Sequence, residues 1–157
     1  MNHHKSVRRK LMNEDYSLEM LLGAHLVSIG RCTDLIWWIF RKGQSEYSLH
    51  TQCSCRVMQD GYPVLTRSSI YYGKDDDPES KITLFDVIVA EEVNGLLPLT
   101  VNEIKRTNVN DVYITMDKGI SIEVFADQPV GHEQWRLFSQ GQDQAHLVAY
   151  SDRLDYE

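Results

Sequence analysis

The sequence predicts an α+β domain: a mainly antiparallel β-sheet in two pseudo-repeated β-meander halves, with one or two short helices. Three observations carry this. Apolar and polar residues alternate with period two along much of the chain, as on strands with one buried face. Turn signals at Gly43, Asp60-Gly61 and Lys118-Gly119 separate the runs at hairpin spacing. Ile82 to Val93 tolerates helical spacing, although its β-branched residues also suit a strand. A length of 157 residues and a hydrophobic content of 42% fit one domain burying its own core.

The expected elements follow in order. Residues 1–15 form a flexible basic arm; no apolar stretch follows MNHHKSVRRK, so it does not read as a secretory signal. The first half covers 16–73. Ser17 to Leu22 is a short helix, capped by Ser17 and ended by Gly23. Ala24 to Arg31 is a strand. After a turn at Cys32-Thr33-Asp34, Leu35 to Phe40 (LIWWIF) is apolar on both faces and so reads as a central strand. The residue pair Trp37-Trp38 cannot face one layer, so at least one of them packs the core. Arg41 to Ser45 is a hairpin connection. The return strand puts Tyr47, Leu49, Thr51, Cys53, Cys55 and Val57 on one face. Its other face carries Glu46, Ser48, His50, Gln52, Ser54 and Arg56. Tyr62 to Arg67 is a strand, placed at an edge by Pro63.

A polar surface loop over 74–80 divides the chain. The second half covers 81–157. Ile82 to Val93 is read as a helix on the spacing of Leu84, Val87, Ile88 and Val93, ended by Asn94-Gly95. Strands follow at Leu99 to Arg106, Asp111 to Asp117, Ile120 to Ala126, Gln134 to Phe138 and His146 to Tyr150. The two halves share an order of features. Arg31, Asp34, an apolar strand, Lys42-Gly43 and Cys55-Arg56-Val57 are echoed by Arg106, Asp111, an apolar strand, Lys118-Gly119 and Trp135-Arg136-Leu137. A duplication generates this order; so does any meander of hairpins.

A formal charge of -7 disfavours nucleic acid, which needs a basic face, and suits a basic partner. No run approaches the roughly 20 apolar residues of a membrane-spanning helix. Three cysteines without a disulfide framework fit a reducing cytosol.

The stretch YSLHTQCSCRV (Tyr47 to Val57) is the densest in chemistry-bearing residues. A zinc site needs about four converging nitrogen or sulfur ligands. Here Cys53 and Cys55 share one face while His50 points the other way, so no metal and no cofactor are expected. The cysteines read as core filling. A Cys-His pair lacks a nucleophile elbow or oxyanion loop beside it, so no catalytic residue is assigned. The polar row Glu46, His50, Gln52 and Arg56 is rich in directional hydrogen bonders. It reads either as a structural network or as a recognition surface. Asp75, Asp76 and Asp77 are consecutive and followed by Pro78, which a Ca²⁺ loop does not allow, so they read as a solvated acidic loop available for contact.

Together, R-x-x-D before an apolar strand, L-H-x-Q-x-x-x-R, G-x-x-I-E-V-F-x-D, E-x-W-R-L-F and H-L-V resemble a family of small bacterial proteins without an assigned activity. The resemblance runs from about Leu21 to Ala149. Cys55 departs from it, standing where an aromatic precedes the Arg. By analogy, the resemblance implies an immunity protein that blocks a bacterial toxin. The expected function is a non-enzymatic cytosolic binding protein with a basic protein partner, such as a toxin domain. The alternatives are a homo-oligomeric structural module and an enzyme built on His50, Gln52 and Arg56.

Overall fold

The computed structural model describes residues 17–157 except 75, 76, 78 and 142. The basic arm expected over 1–15, and Asp75 and Asp76, lie outside the described residues. No described helix is long and apolar enough to cross a membrane.

The first expected helix is a single 3-10 turn, Leu18–Leu21, and Gly23 beyond it takes φ +77. Strands β1 (His25–Cys32), β2 (Leu35–Lys42) and β3 (Ser45–Thr51) form a meander. Next come β4 (Ser54–Gln59) and β5 (Tyr62–Thr66), then a 3-10 turn at Arg67–Tyr71. Helix α1 (Leu84–Ile88) continues through a π turn (Val89–Val93) and a 3-10 turn (Asn94–Leu96). After it run β6 (Leu99–Arg106), β7 (Val112–Met116), β8 (Ile120–Phe125), β9 (Trp135–Ser139), β10 (Leu147–Ala149) and β11 (Leu154–Tyr156). Most of these strands match the alternation read from the sequence. The terminal β11 was not anticipated.

The strands form one sheet in the order β11-β10-β9-β3-β2-β1-β6-β7-β8-β4-β5. LIWWIF is internal, as expected. Ile36, Trp38 and Phe40 are buried, while Leu35, Trp37 and Ile39 on the opposite face are half-buried. β5 carries Pro63 and ends the sheet, where a missing N–H costs no ladder bond.

The reading of the central ribbon is corrected. The ribbon read as a single strand from Glu46 to Val57 is two strands, because its halves serve different neighbours. β3 lies between β2 and β9, whereas β4 lies between β8 and β5. The chain leaves the ladder at Gln52 and Cys53. The Gln52 N–H donates to the Gln134 carbonyl at 2.9 Å, and the Ser54 N–H donates to Asp127 Oδ1 at 3.0 Å. Alternation survives the bend: Leu49, Thr51, Cys53, Cys55 and Val57 are all buried.

Pairing from β3 through β2, β1, β6, β7 and β8 to β4 returns to this same ribbon. β1 meets β6 at only two residue pairs, His25↔Thr100 and Leu26↔Leu99. The sheet therefore curls around one apolar cluster. Trp38 and Trp135 are buried with their indole N–H groups satisfied, by Thr51 Oγ1 at 3.2 Å and the Asn110 carbonyl at 2.9 Å. Burying each such large side chain contributes about 1.5–3 kcal/mol.

The helix is present, but its buried face is corrected. Phe85, Val89 and Val93, at i, i+4 and i+8, face the core, while Leu84 is exposed. A capping box sets its start: Asp86 accepts from the Thr83 N–H at 2.9 Å.

Candidate functional site

The polar row of the central ribbon divides into three local arrangements. At its start, Glu46 accepts from Arg41 across the β2–β3 hairpin at 3.1 Å, an exposed pair. At its end, Arg56 binds Glu123 on β8 and lies 5.2 Å over the Phe125 ring. Between them, His50 and Gln52 join a cluster with β9 and with the residues just before β9 and β10.

The registers build that cluster. His50 is opposite Arg136, and Ser48 is opposite Phe138. Glu133 accepts from Arg136 Nε at 3.0 and 3.1 Å and also from Arg136 Nη2. Gln52 Nε2 donates to the other Glu133 oxygen at 2.8 Å. Arg136 Nη1 lies 2.9 Å from His146 Nδ1. A guanidinium only donates, so Nδ1 accepts and the imidazole is neutral, with its proton on Nε2. Phe138 stacks on His146 at 4.3 Å and meets His50 edge-on at 4.8 Å.

Burial, then the Arg136 charge, holds both His50 and His146 below the ordinary histidine range, with Glu133 opposing. The donors and acceptors of this ladder largely satisfy one another. Glu133, Arg136 and His146 were not among the residues singled out from the sequence for this row. The similar sequence surroundings of Arg56 and Arg136, each after a bulky or apolar residue, were the available signal.

The thiols lie on the other side of the ribbon. Cys53 and Cys55 are buried and free. Burial raises Cys53 strongly and pushes Cys55 up to about 11. Both are therefore protonated near neutrality and are poor nucleophiles. His50 does not converge with them. Among the described residues, no three His, Cys, Asp or Glu side chains are grouped to hold a metal ion.

A cleft of about 660 Å³ opens at the ribbon's bend. Gln52 and Ser54 line it with Asp34 from the β1–β2 turn, Arg67 and Tyr71 from the 3-10 turn, and Gln128 from the loop before β9. Ser54 Oγ donates to Asp127 Oδ2 at 2.5 Å. Burial raises the Asp127 pKa, but the Ser54 hydroxyl and N–H outweigh that, and it lies below the usual carboxylate value. Arg56 lines a second hollow of about 170 Å³, and His50 lines neither. Neither of these two hollows gathers the three residues of the enzyme reading.

Beside the cleft, a short ladder carries the acidic loop. Gly73 bridges Thr83, the Lys74 N–H donates to the Ile82 carbonyl, and the Leu84 N–H donates to the Tyr72 carbonyl. Thr83 is buried, so alternation turns its neighbours outward. Tyr72 and Leu84 are 58% and 41% exposed, Ile82 is 49%, and Tyr71 at the cleft rim is 69%. Asp77 and Glu79 are exposed on the loop above them.

No family model, curated protein or solved structure matches this chain.

Proposed function

We propose that the chain is a non-enzymatic, cytosolic binding protein that docks a basic protein partner. The docking surface is the collar Tyr71, Tyr72, Ile82 and Leu84, with the acidic loop that includes Asp77. The observation that carries this reading is four large apolar side chains exposed together around one loop. Tyrosine supplies contact area at low entropic cost, and a partner with a basic rim would meet the loop's acids. The net charge of -7 favours the same encounter. A toxin-neutralising immunity protein is the form of this function that the family resemblance implies.

The test places a photo-crosslinking residue at Tyr72 or Leu84, with Val109 on the β6–β7 loop as the control. The expected result is an adduct with one basic protein from the collar positions only, weakened by salt. Adducts with chaperones alone, with a second copy of this chain, or equally from Val109 contradict the proposal.

We also read the two halves as a duplicated unit. Exchanging β1 to β5 with β6 to β10 reverses the order β10-β9-β3-β2-β1-β6-β7-β8-β4-β5 onto itself. The Arg56↔Glu123 register then corresponds to Arg136↔His50. Both arginines follow a buried residue, Cys55 or Trp135.

A further inference from the structure

Arg67 is the described cation with a buried nitrogen that lacks a hydrogen-bond partner. Its side chain is only 14% exposed. Nη2 lies 3.6 Å from Asp34 Oδ2, beyond a good hydrogen bond, and Nη1 is buried without a hydrogen-bond partner. A buried donor left unsatisfied is costly, and a guanidinium donor more so. Neighbouring groups are otherwise committed. Asp127 accepts from the Ser54 N–H and hydroxyl, and Ser68 shares a hydrogen bond with Thr66 at 2.7 Å.

The space beside Arg67 has room for a small ligand. Arg67 lines both the 660 Å³ cleft and the adjoining 170 Å³ hollow, with Ser54 and Ser68 common to both. The larger volume falls within the range of small-molecule sites, about 300–1,000 Å³. Its wall supplies Gln52 and Gln128 for hydrogen bonds and the Tyr71 ring at the mouth.

We propose that this cleft binds a small monocarboxylate, held by the Arg67 guanidinium at the bend of the central ribbon. A carboxylate matches the planar fork with two parallel hydrogen bonds. Swinging the fork from its loose pair with Asp34 presents both Nη atoms to the ligand. Charge sets the class. One cation faces two carboxylates, Asp34 in the cleft wall and Asp127 behind Ser54, so the site tolerates one added negative charge better than two. The cleft shares Tyr71 with the docking collar, but its ligand binding does not depend on the protein-docking function.

The test is an amide NMR titration of the full chain with sodium acetate and with sodium sulfate, against sodium chloride at matched ionic strength. Acetate is expected to give saturable shifts at Gln52, Ser68 and Tyr71, with sulfate weaker. Arg67→Lys keeps the charge but loses the fork, and lowers acetate affinity about tenfold. Asp34→Asn, a change at an exposed side chain, tightens acetate and lets sulfate compete even if the Arg67 variant does not fold. Acetate shifts no larger than those from chloride overturn the proposal. So does sulfate binding more tightly than acetate, a folded Arg67→Lys protein with unchanged affinity, or an Asp34→Asn protein with both affinities unchanged.

Discussion

At the scale of single residues, the two histidines of the outer ladder behave unlike surface histidines. Burial and the Arg136 charge disfavour their protonation in the folded chain. The unfolded chain takes up those protons near the ordinary value of about 6.5. Stability from this pair is therefore complete above that value and is lost as pH falls toward the lower folded values. Protonating His146 also turns the Nδ1 acceptor into a donor facing Arg136. The urea midpoint is expected to fall between about pH 7.5 and about pH 5.5, and to fall less in a His50→Gln, His146→Gln double variant. A midpoint that holds or rises on acidification contradicts the ladder's electrostatics. Asp86 and Asp127, both held below the usual carboxylate value, lose their contributions only at lower pH and do not blur this window. His50 and Gln52 were recognisable from alternation alone, because facing depends only on local period. Their partners were not: Glu133 is 81 residues from Gln52 in sequence.

At the scale of elements, close packing sets how β1 and β2 meet. Gly30 is opposite Trp37, and a Cβ at Gly30 would overlap the Trp37 indole. Gly30→Ala is expected to destabilise by about 1–3 kcal/mol, the usual cost of overpacking, measured by urea unfolding. Adding Trp37→Leu should recover part of the loss; a Gly30→Ala protein as stable as the parent rejects the contact. Period-two alternation and turn residues made most strands legible, down to the bounds of β6, Leu99 to Arg106. The bend at Gln52 and Cys53 was not legible, because burial continues to alternate through it. What separates β3 from β4 is a change of neighbours. β11 was missed because three residues, Leu154 to Tyr156, are too few to establish a period. The helix was ambiguous for a related reason: β-branched residues argued for a strand, and the buried spacing 85, 89, 93 decided the matter in the fold.

At the scale of the molecule, one ribbon organises everything else. Its inner row joins the core on both sides of the bend, and its outer row holds the polar ladders. The bend opens the Arg67 cleft, and the collar stands beside it. The cleft and collar could not be read from the sequence, since Asp34, Gln52, Arg67 and Gln128 meet only through the curl of the sheet. This architecture depends on sulfur lying dry within that curl while imidazole and guanidinium stay outside. Thiol labelling of the native chain with a soluble disulfide reagent is the most direct check. Cys32, the exposed cysteine, should react promptly, and Cys53 and Cys55 only as the chain unfolds. Prompt labelling of Cys53 or Cys55 in the folded protein would place a reactive thiol at the bend and contradict the account.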